Sequence, residues 1–438
     1  MPNLKSKIPM PDPIADTLTR LKAQGLYRRL RAVGPATGPR VQLDGREVLL
    51  FSSNNYLDLA GEARVAEALR RSAAQWGWGA GASRLLAGHT EAHEALEADL
   101  AAWLGAEAAL VFPTGYTTNL GAVTALVGRG DTVVMDRACH ASLYDAAAMS
   151  RARLRRYPPC DAAAADRSLS FAASRVLLAT DAVFSMDGRR APLSALADAA
   201  DRAGAMLLLD EAHAIGVLGE GGAGLAEECG LGRQITVRVG TLSKALGGVG
   251  GFVAASRDVI DLLVNRARPF IYTTALPAAA CEAAREALRI LRAEPERRRR
   301  LHDLSRTLRA RLREEGFDLG PADGTETDAA LPPTPIVPVV LGEPERALSA
   351  AAALLSRGVF CPAVRPPTVP PGTSRLRISL TAAHTEEDLD RLVAALVGAR
   401  DDVPRRKRAR FCLTNPSSVR ERANWPLARS TKQAIRRL

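Results

Sequence analysis

Short apolar runs alternate with amphipathic segments through the middle of the chain. The runs have strand length, and most of the segments between them repeat their apolar residues at a helical spacing. This alternation predicts βαβ units and a mostly parallel sheet. The predicted strands cover residues 109–112, 132–136, 176–183, 206–210, 235–241 and 252–255.

The flanking regions predict smaller units. Asp44-Gly45 between two apolar runs indicates a hairpin, and residues 52–57 predict a polar turn that is too rich in hydrogen-bonding groups to be core. The predicted helices are 14–32, 65–76, 93–104, 277–292, 297–315, 343–357 and 385–397, and the later strands are 336–341, 359–363 and 375–379.

These patterns predict a chain of four parts. Residues 1–60 form an N-terminal arm and a segment of the small domain, 61–292 a large domain, and 293–400 a small α/β domain at the C-terminal side. Residues 401–438 are a basic tail in which the pattern breaks down, and we expect it to be disordered.

Composition narrows the class of protein. The 438 residues are 47% hydrophobic and 24% charged, as in ordinary globular proteins. The six cysteines form no C-x-x-C pair, which argues against zinc and thioredoxin-like sites. Without an apolar leader or a bilayer-spanning run, we expect a reduced, cytoplasmic protein with no membrane partner. Much of the net charge of +11 lies in the tail, so nucleic acid is not an expected partner.

Polar or turn residues follow the predicted strands. The residues at these junctions between a strand and the next segment are Gly115, His140, Ser185, Asp210 and Lys244. Open α/β sheets bind ligands at the carboxyl ends of their strands. Lys244 is a surface lysine, a phosphate contact, or an amine whose pKa falls on burial until it forms Schiff bases. Asp210 is a structural cap or the partner of a pyridinium nitrogen. Their convergence predicts one site along this edge.

Four other sequence patterns are weaker evidence for a function. Asp210-Glu211-Ala212-His213 is similar to a helicase box, but the chain has no Gly-Lys dipeptide and hence no P-loop. The G-x-G-x-x-G match at 219–224 does not directly follow a strand and reads as loop glycines. His89 and His93 lack a third ligand and read as structural, so no metal site is expected. No G-x-S-x-G elbow is present, which removes the simplest hydrolase.

Taken together, the motifs resemble the α-oxoamine synthases, a family of fold-type I enzymes that use pyridoxal 5'-phosphate (PLP). The resemblance runs from about residue 26 to 396, and the segment 365–384 is most similar to the branch of the family in biotin biosynthesis. It implies a fold-type I PLP-dependent transferase, with a mostly parallel sheet in the large domain, that works as a homodimer. The matching segments are 51–57, 81–88, 136–143, 183–188, 210–213, 241–247 and 365–384.

The resemblance also implies a role for each matching residue. Lys244 would carry the cofactor as a Schiff base, Asp210 would pair with the pyridine nitrogen, and His140 would stack on the ring beside the substrate. The other implied cofactor contacts are Ser185 and His213 at the ring hydroxyl, Gly115, Tyr116 and Thr241 at the phosphate, and Thr273 and Thr274 at the partner subunit's phosphate. The remaining implied substrate contacts are Arg28, Asn54, Thr368 and Arg377.

The implied reaction is a decarboxylative C-acyl transfer. L-Alanine would condense with pimeloyl-CoA or pimeloyl-acyl carrier protein, with Lys244 as general base. One alternative is another α-oxoamine synthase, such as a glycine C-acetyltransferase or a 5-aminolevulinate synthase-like enzyme. A second, from a different class, is a nucleic-acid-binding or interaction protein whose enzyme-like body is a scaffold.

Overall fold

The computed structural model describes residues 13–34, 38–170, 175–321 and 332–402. The strands are β1 (Arg40–Leu43), β2 (Arg46–Leu50), β3 (Ala108–Phe112), β4 (Thr132–Asp136), β5 (Arg153–Tyr157), β6 (Val176–Asp181), β7 (Met206–Asp210), β8 (Val237–Thr241), β9 (Gly251–Ala255), β10 (Ile336–Gly342), β11 (Val359–Phe360), β12 (Ala363–Val364) and β13 (Ser374–Ser379). The helices are α1 (Pro13–Ala23), α2 (Ala63–Trp76), α3 (Glu91–Leu104), α4 (Gly115–Leu126), α5 (Ala141–Ser150), α6 (Ala162–Leu169), α7 (Leu193–Ala203), α8 (Leu225–Glu228), α9 (Arg257–Arg266), α10 (Arg268–Ile271), α11 (Ala278–Ala293), α12 (Pro295–Glu314), α13 (Pro344–Ser356) and α14 (Glu386–Asp402).

A seven-stranded sheet in the order β3-β9-β8-β7-β6-β4-β5 forms the centre of the molecule. The pairs from β8 to β5 are parallel, and β9 is antiparallel to both of its neighbours. Both faces of the sheet are covered, since Leu207 and Leu209 pack into one apolar cluster and Leu208 into the other. This confirms the predicted mostly parallel sheet and explains the continuous apolar runs of its strands.

Two small sheets lie outside this centre. In one, β2 pairs with β1 and with β11; in the other, β13 pairs with β10 and β12. The predicted hairpin is confirmed, with Asp44 and Gly45 both at positive φ in its turn. The boundaries predicted for the domains stay predictions, and the tail from residue 403 onward lies outside the described residues. Among the described helices, none has the length and apolarity that crossing a membrane requires.

Several sequence predictions were wrong. The helix predicted over 14–32 ends at Ala23, because Gly25 has a φ of +64° and the chain turns there. The strand predicted over 359–363 is two strands in different sheets. Strand β5 was missed because its sequence is rich in arginine, as suits the charged edge of a sheet.

The turn at residues 52–57 was also misjudged. Asn55, Tyr56 and Leu57 are all buried. Burial is possible because the polar groups find partners: the Asn55 Oδ1 accepts hydrogen bonds from the main-chain N–H groups of Leu59, at 2.9 Å, and Ala60, at 3.1 Å. The turn also contributes to the site described next, since the Tyr56 hydroxyl contacts His213 there.

Candidate active site

The carboxyl ends of β6, β7 and β8 bring the predicted polar residues together. Asp181 and Asp210 are register partners at the ends of adjacent strands. Lys244 lies in the turn after β8 and is half-buried. Burial lowers the pKa of Lys244 to about 8, while the charges of Asp210 and Asp181 oppose that shift and the charge of Arg377 adds to it. Lys244 and Asp210 therefore lie close together at the carboxyl ends of neighbouring strands, as the sequence analysis expected.

Asp210 is held by a donor on each carboxylate oxygen. The amide Nδ2 of Asn119 donates to Oδ2 at 2.7 Å, and the main-chain N–H of Ala212 donates to Oδ1 at 2.9 Å. The side chain is 5% exposed. Two donors on a buried carboxylate fix its plane. Such a group can pair with a cationic ring nitrogen without reorienting.

His140 is the N-cap of α5 and is bound through both its main chain and its ring. Its main-chain N–H donates to the carboxylate of Asp181, at 3.1 Å from Oδ2. Its Nδ1 lies 2.7 Å from the Ser142 hydroxyl and accepts the Ser142 main-chain N–H at 3.3 Å. Desolvation lowers the pKa of His140 although the charge of Asp210 opposes the shift. The imidazole therefore favours its neutral form.

Asp181 is a member of this cluster that the sequence prediction missed. Its carboxyl group is buried, and burial together with the charge of Asp210 raises its pKa well above the usual value. The predicted strand ran on to residue 183, which hid the fact that Asp181 is the last residue of β6. A polar residue at the end of an apolar run was the signal that could have found it.

On another side of the site, His213 belongs to a buried network. The Tyr56 hydroxyl lies 2.6 Å from His213 Nδ1 and 3.2 Å from Asn54 Oδ1. The Arg377 Nη2 donates to Asn54 Oδ1 at 3.2 Å, and its Nε donates to the carbonyl of Ser185. Burial lowers the pKa of His213 well below its usual value, so the ring is neutral. Tyr56 was missed, since its turn was read as exposed.

A cradle for a phosphate lies where α4 begins. Gly115 is the first residue of this 12-residue helix, whose first N–H groups have no partner within the helix. A Cβ on Gly115 would lie 3.5 Å from the Thr241 side chain, and a Cβ on Gly251 would lie 2.7 Å from Gly115 Cα. The backbone approach therefore needs small residues, as an anion-binding cradle does.

The hydroxyl groups beside this cradle differ in accessibility. Thr241 is 4% exposed and its Oγ1 donates to the carbonyl of Gly250 at 2.9 Å. The exposed Ser243 hydroxyl lies 2.7 Å from it and was not singled out from the sequence. The Tyr116 hydroxyl donates to Asp145 Oδ2 at 2.5 Å. Gly115 and Ser243 thus offer donors suited to a phosphate, and Thr241 lies beside Ser243 with its hydroxyl proton on the Gly250 carbonyl.

Four expected residues lie apart from this cluster, with no hydrogen bond or ion pair to it within the described ranges. Thr274, next to Thr273, forms an antiparallel bridge with Ser83. Arg28 and Thr368 flank Arg365, whose guanidinium binds the carbonyl of Gly25 and whose carbonyl accepts the Thr368 N–H at 3.0 Å. Burial, and next the charge of Arg28, lower the pKa of Arg365. Arg365 was not given a role from the sequence.

Two of the motifs set aside above, His93 and the glycine loop, have partners within the fold. His93 is buried, its Nε2 bonds the Leu276 carbonyl at 2.8 Å, and burial lowers its pKa to about 4. In the glycine loop, the Glu227 carboxylate binds the N–H groups of Gly221, at 3.0 Å, and Ala223, at 2.8 Å. Across the described ranges, no group of three or more His, Cys, Asp or Glu residues could hold a metal ion.

Comparison with known proteins shows which family the chain is similar to. The family model described as aminotransferase class I and II matches residues 46–396. The 8-amino-7-oxononanoate synthase of Anaeromyxobacter dehalogenans (strain 2CP-1) is 50% identical over 394 residues, which cover 90% of this chain and 96% of that relative.

Solved structures resemble the chain as well. A structure of SPT, a serine palmitoyltransferase, with the PLP internal aldimine gives a TM-score of 0.82 at 31% identity and covers 91% of this chain and 99% of that one. The 8-amino-7-oxononanoate synthase of Francisella tularensis gives a TM-score of 0.70 at 25% identity and covers 81% of this chain and 98% of that one.

Proposed function

Because this chain belongs to the aminotransferase class I and II family, we propose that it is a PLP-dependent C-acyltransferase that makes 8-amino-7-oxononanoate. It condenses L-alanine with a pimeloyl thioester and releases CO₂ and the carrier thiol, as a step of biotin biosynthesis. The observation that carries the proposal is the 50% identity to an 8-amino-7-oxononanoate synthase over 90% of this chain. The half-buried Lys244 beside Asp210 and His140 supplies the chemistry.

PLP acts in such enzymes as an electron sink for a carbanion at the amino-acid Cα. In this proposal, Lys244 attaches the cofactor and later removes and returns the Cα proton; its lowered pKa suits a base near neutral pH. Asp210, fixed by two donors, holds the ring nitrogen protonated. His140 covers the ring face, and the neutral His213 and Ser185 contact the ring hydroxyl. Gly115, Tyr116 and Thr241 bind the phosphate, with Ser243 as an additional donor.

Substrate binding is proposed for Arg377, which contacts the site, and for Arg28 and Thr368, which lie apart from it. Arg377 contacts Asn54 at 3.2 Å and the carbonyl of Ser185, and these contacts with the site support its proposed role in binding a carboxylate of the substrate. Arg28, whose charge acts on Arg365, and Thr368, whose N–H binds the Arg365 carbonyl, are proposed as contacts to the acyl substrate.

We also propose that the protein is a homodimer. Trp78, Leu86 and Tyr272 are 87%, 84% and 71% exposed, which is costly for a surface that stays in water. The segments that carry them are joined by the bridge between Ser83 and Thr274. Thr273 and Thr274 would then face the partner subunit's phosphate. The cytoplasmic location expected from the cysteine content stays a prediction.

A second candidate is an α-oxoamine synthase with another substrate pair. The higher TM-score of the serine palmitoyltransferase structure, 0.82 against 0.70, favours it. We give more weight to sequence identity, which is 50% to a synthase and 31% to the palmitoyltransferase, because side chains and not the shared fold select the substrate.

Product analysis separates the candidates. Purified protein loaded with PLP is incubated with L-alanine and pimeloyl-CoA or pimeloyl-acyl carrier protein, with glycine and acetyl-CoA, or with L-serine and palmitoyl-CoA. We expect 8-amino-7-oxononanoate from the first pair, detected by mass spectrometry, and none from a Lys244→Ala control. Faster turnover of either other pair would overturn the substrate assignment. A protein that binds no PLP would overturn the enzyme class.

A further inference from the structure

Asp210 and His140 are joined by a chain of hydrogen bonds through two buried side chains. The Asn119 Nδ2 lies 2.7 Å from Asp210 Oδ2 and 2.9 Å from the Ser142 Oγ. The Ser142 Oγ in turn lies 2.7 Å from His140 Nδ1. Asn119 is 2% exposed and Ser142 is fully buried. The two linking side chains are closed to water, so their protons can point only to the partners that the path itself supplies.

The donors in this path can be assigned from one end. An ionised carboxylate only accepts, so Asn119 must turn its NH₂ group toward Asp210. Its second N–H then donates to the Ser142 Oγ, and the hydroxyl uses its own proton to donate to His140 Nδ1. The same Nδ1 accepts the main-chain N–H of Ser142 at 3.3 Å. With Nδ1 an acceptor, the neutral imidazole carries its proton on Nε2.

The hydroxyl of Ser142 is not needed to cap α5. The main-chain N–H of Ser142 already finds its acceptor in the His140 ring. The hydroxyl therefore serves a different purpose, which is to connect the ring to Asn119. Asn119 likewise lies inside α4, where its amide satisfies no helix end and reaches across to the end of β7.

We propose that Asn119 and Ser142 are positioning residues that hold His140 as its neutral tautomer protonated on Nε2 and fix the carboxylate of Asp210. Neither residue touches the reacting atoms in this proposal; each acts through its neighbour. The inference deepens the proposed function and rests on it for the effect on turnover, but not for the tautomer.

The ring of His140 is surrounded by charged and titratable groups from several elements. Asp210 and Asp145 favour its protonated form, and Lys244 disfavours it. Removing the Ser142 hydroxyl takes a donor away from Nδ1 and so makes protonation there easier. The groups that face His140 are Asp145 on α5, Asp181 at the end of β6, Asp210 and His213 at and after the end of β7, and Lys244 after β8.

Histidine NMR tests the tautomer directly. The full chain is labelled with ¹⁵N in its six histidines, and the His140 signal is identified by its loss in His140→Asn. We expect the Nε2-protonated ring in the wild type. Ser142→Ala should raise the His140 titration midpoint by about one pH unit, the size of one ordinary hydrogen bond. An Nδ1-protonated ring, or an unchanged midpoint in Ser142→Ala, would overturn the proposal.

Two further variants control this result. Ser142→Thr keeps a hydroxyl and should keep the wild-type midpoint. Ser150→Ala removes a buried hydroxyl from the same helix, where it donates to the Ala147 carbonyl at 2.8 Å, and should leave His140 unchanged. A shift of equal size in Ser150→Ala would mean that loosening α5, and not losing the bridge, moves the midpoint.

The kcat values of single and double variants test whether Asn119 and Ser142 act through the same hydrogen-bonded path. Asn119→Ala and Ser142→Ala should each lower kcat with L-alanine and pimeloyl-CoA about tenfold, and the double variant should lose far less than the product of the two losses. Thr124→Ala, which removes a hydroxyl elsewhere on α4, is the matched control. Losses that multiply would refute the bridge. If the wild type does not turn over this pair but the NMR result holds, the proposed function fails and the positioning role stands.

Discussion

Replacing Lys244 should stabilise the protein in the absence of cofactor. Burial lowers the pKa of this amine from its ordinary 10.5 to about 8, even though Asp210 and Asp181 lie near enough to oppose the shift. A lowered pKa means that the folded chain holds the charged amine less favourably than the unfolded chain does. Lys244→Met keeps the length of the side chain and removes that charge.

The magnitude follows from the size of the shift. A lowering from 10.5 to about 8 corresponds to about 3 kcal/mol of lost stability at pH 7. Because the folded pKa is the lower one, the unfolded state binds more protons between pH 8 and 10.5, and wild-type stability rises with pH across that window. The advantage of Lys244→Met should therefore be full below pH 8 and disappear by about pH 10.5.

The assay is unfolding of the apoprotein at pH 7 and at pH 10, with Lys22→Met as a control for an exposed lysine. Lys22 lies on the surface at the end of α1, so its replacement should change stability by no more than about 0.5 kcal/mol at either pH. The reasoning is refuted if Lys244→Met is no more stable than the wild type at pH 7. It is refuted equally if its advantage does not shrink as the pH rises.

Three further outcomes are expected. Gly251→Ala would place a Cβ 2.7 Å from Gly115 Cα, so PLP affinity should fall at least about tenfold in an absorbance titration. Arg377→Lys keeps the charge but loses the fork that binds Asn54 and the Ser185 carbonyl, so KM for L-alanine should rise about tenfold in steady-state assays. Burial lowers the pKa of His384 to about 4, so the wild type should become less stable as the pH falls from 6.5 to 4. In thermal unfolding, His384→Gln should remove about 3 kcal/mol of this loss of stability at low pH.

The central sheet could be predicted because its strands are buried on both faces. The run at 206–210 is apolar up to its final acid, and the structure begins and ends β7 at those residues. Strand β5 carries three arginines in five residues and pairs only at the sheet edge, so no local pattern identifies it. The division of 359–363 between two sheets depends on β2 and β13, which are distant in sequence.

The site was predictable where one residue at a strand end carried the signal. Asp210 and Lys244 follow apolar runs, and the topology of a parallel sheet brings such ends together. Tyr56 was missed for a different reason. Its turn has a polar composition, and only the partners supplied by His213 and Arg377, more than a hundred residues away, make its burial possible.

The residues that orient the site are harder to find than those that form it, and the reason is physical. Asn119 contacts Asp210 across 91 positions and Ser142 across 23, and no spacing within one helix encodes either contact. In the sequence, both are ordinary polar residues of short helices, where a polar side chain usually faces water. What distinguishes them is burial: a polar group that leaves water must be bonded, and here the partners are the two groups whose protons matter to the chemistry. Buried polar residues in the first two turns of the helices that follow strands of the central sheet are therefore the place to look for positioning residues once the sheet is known.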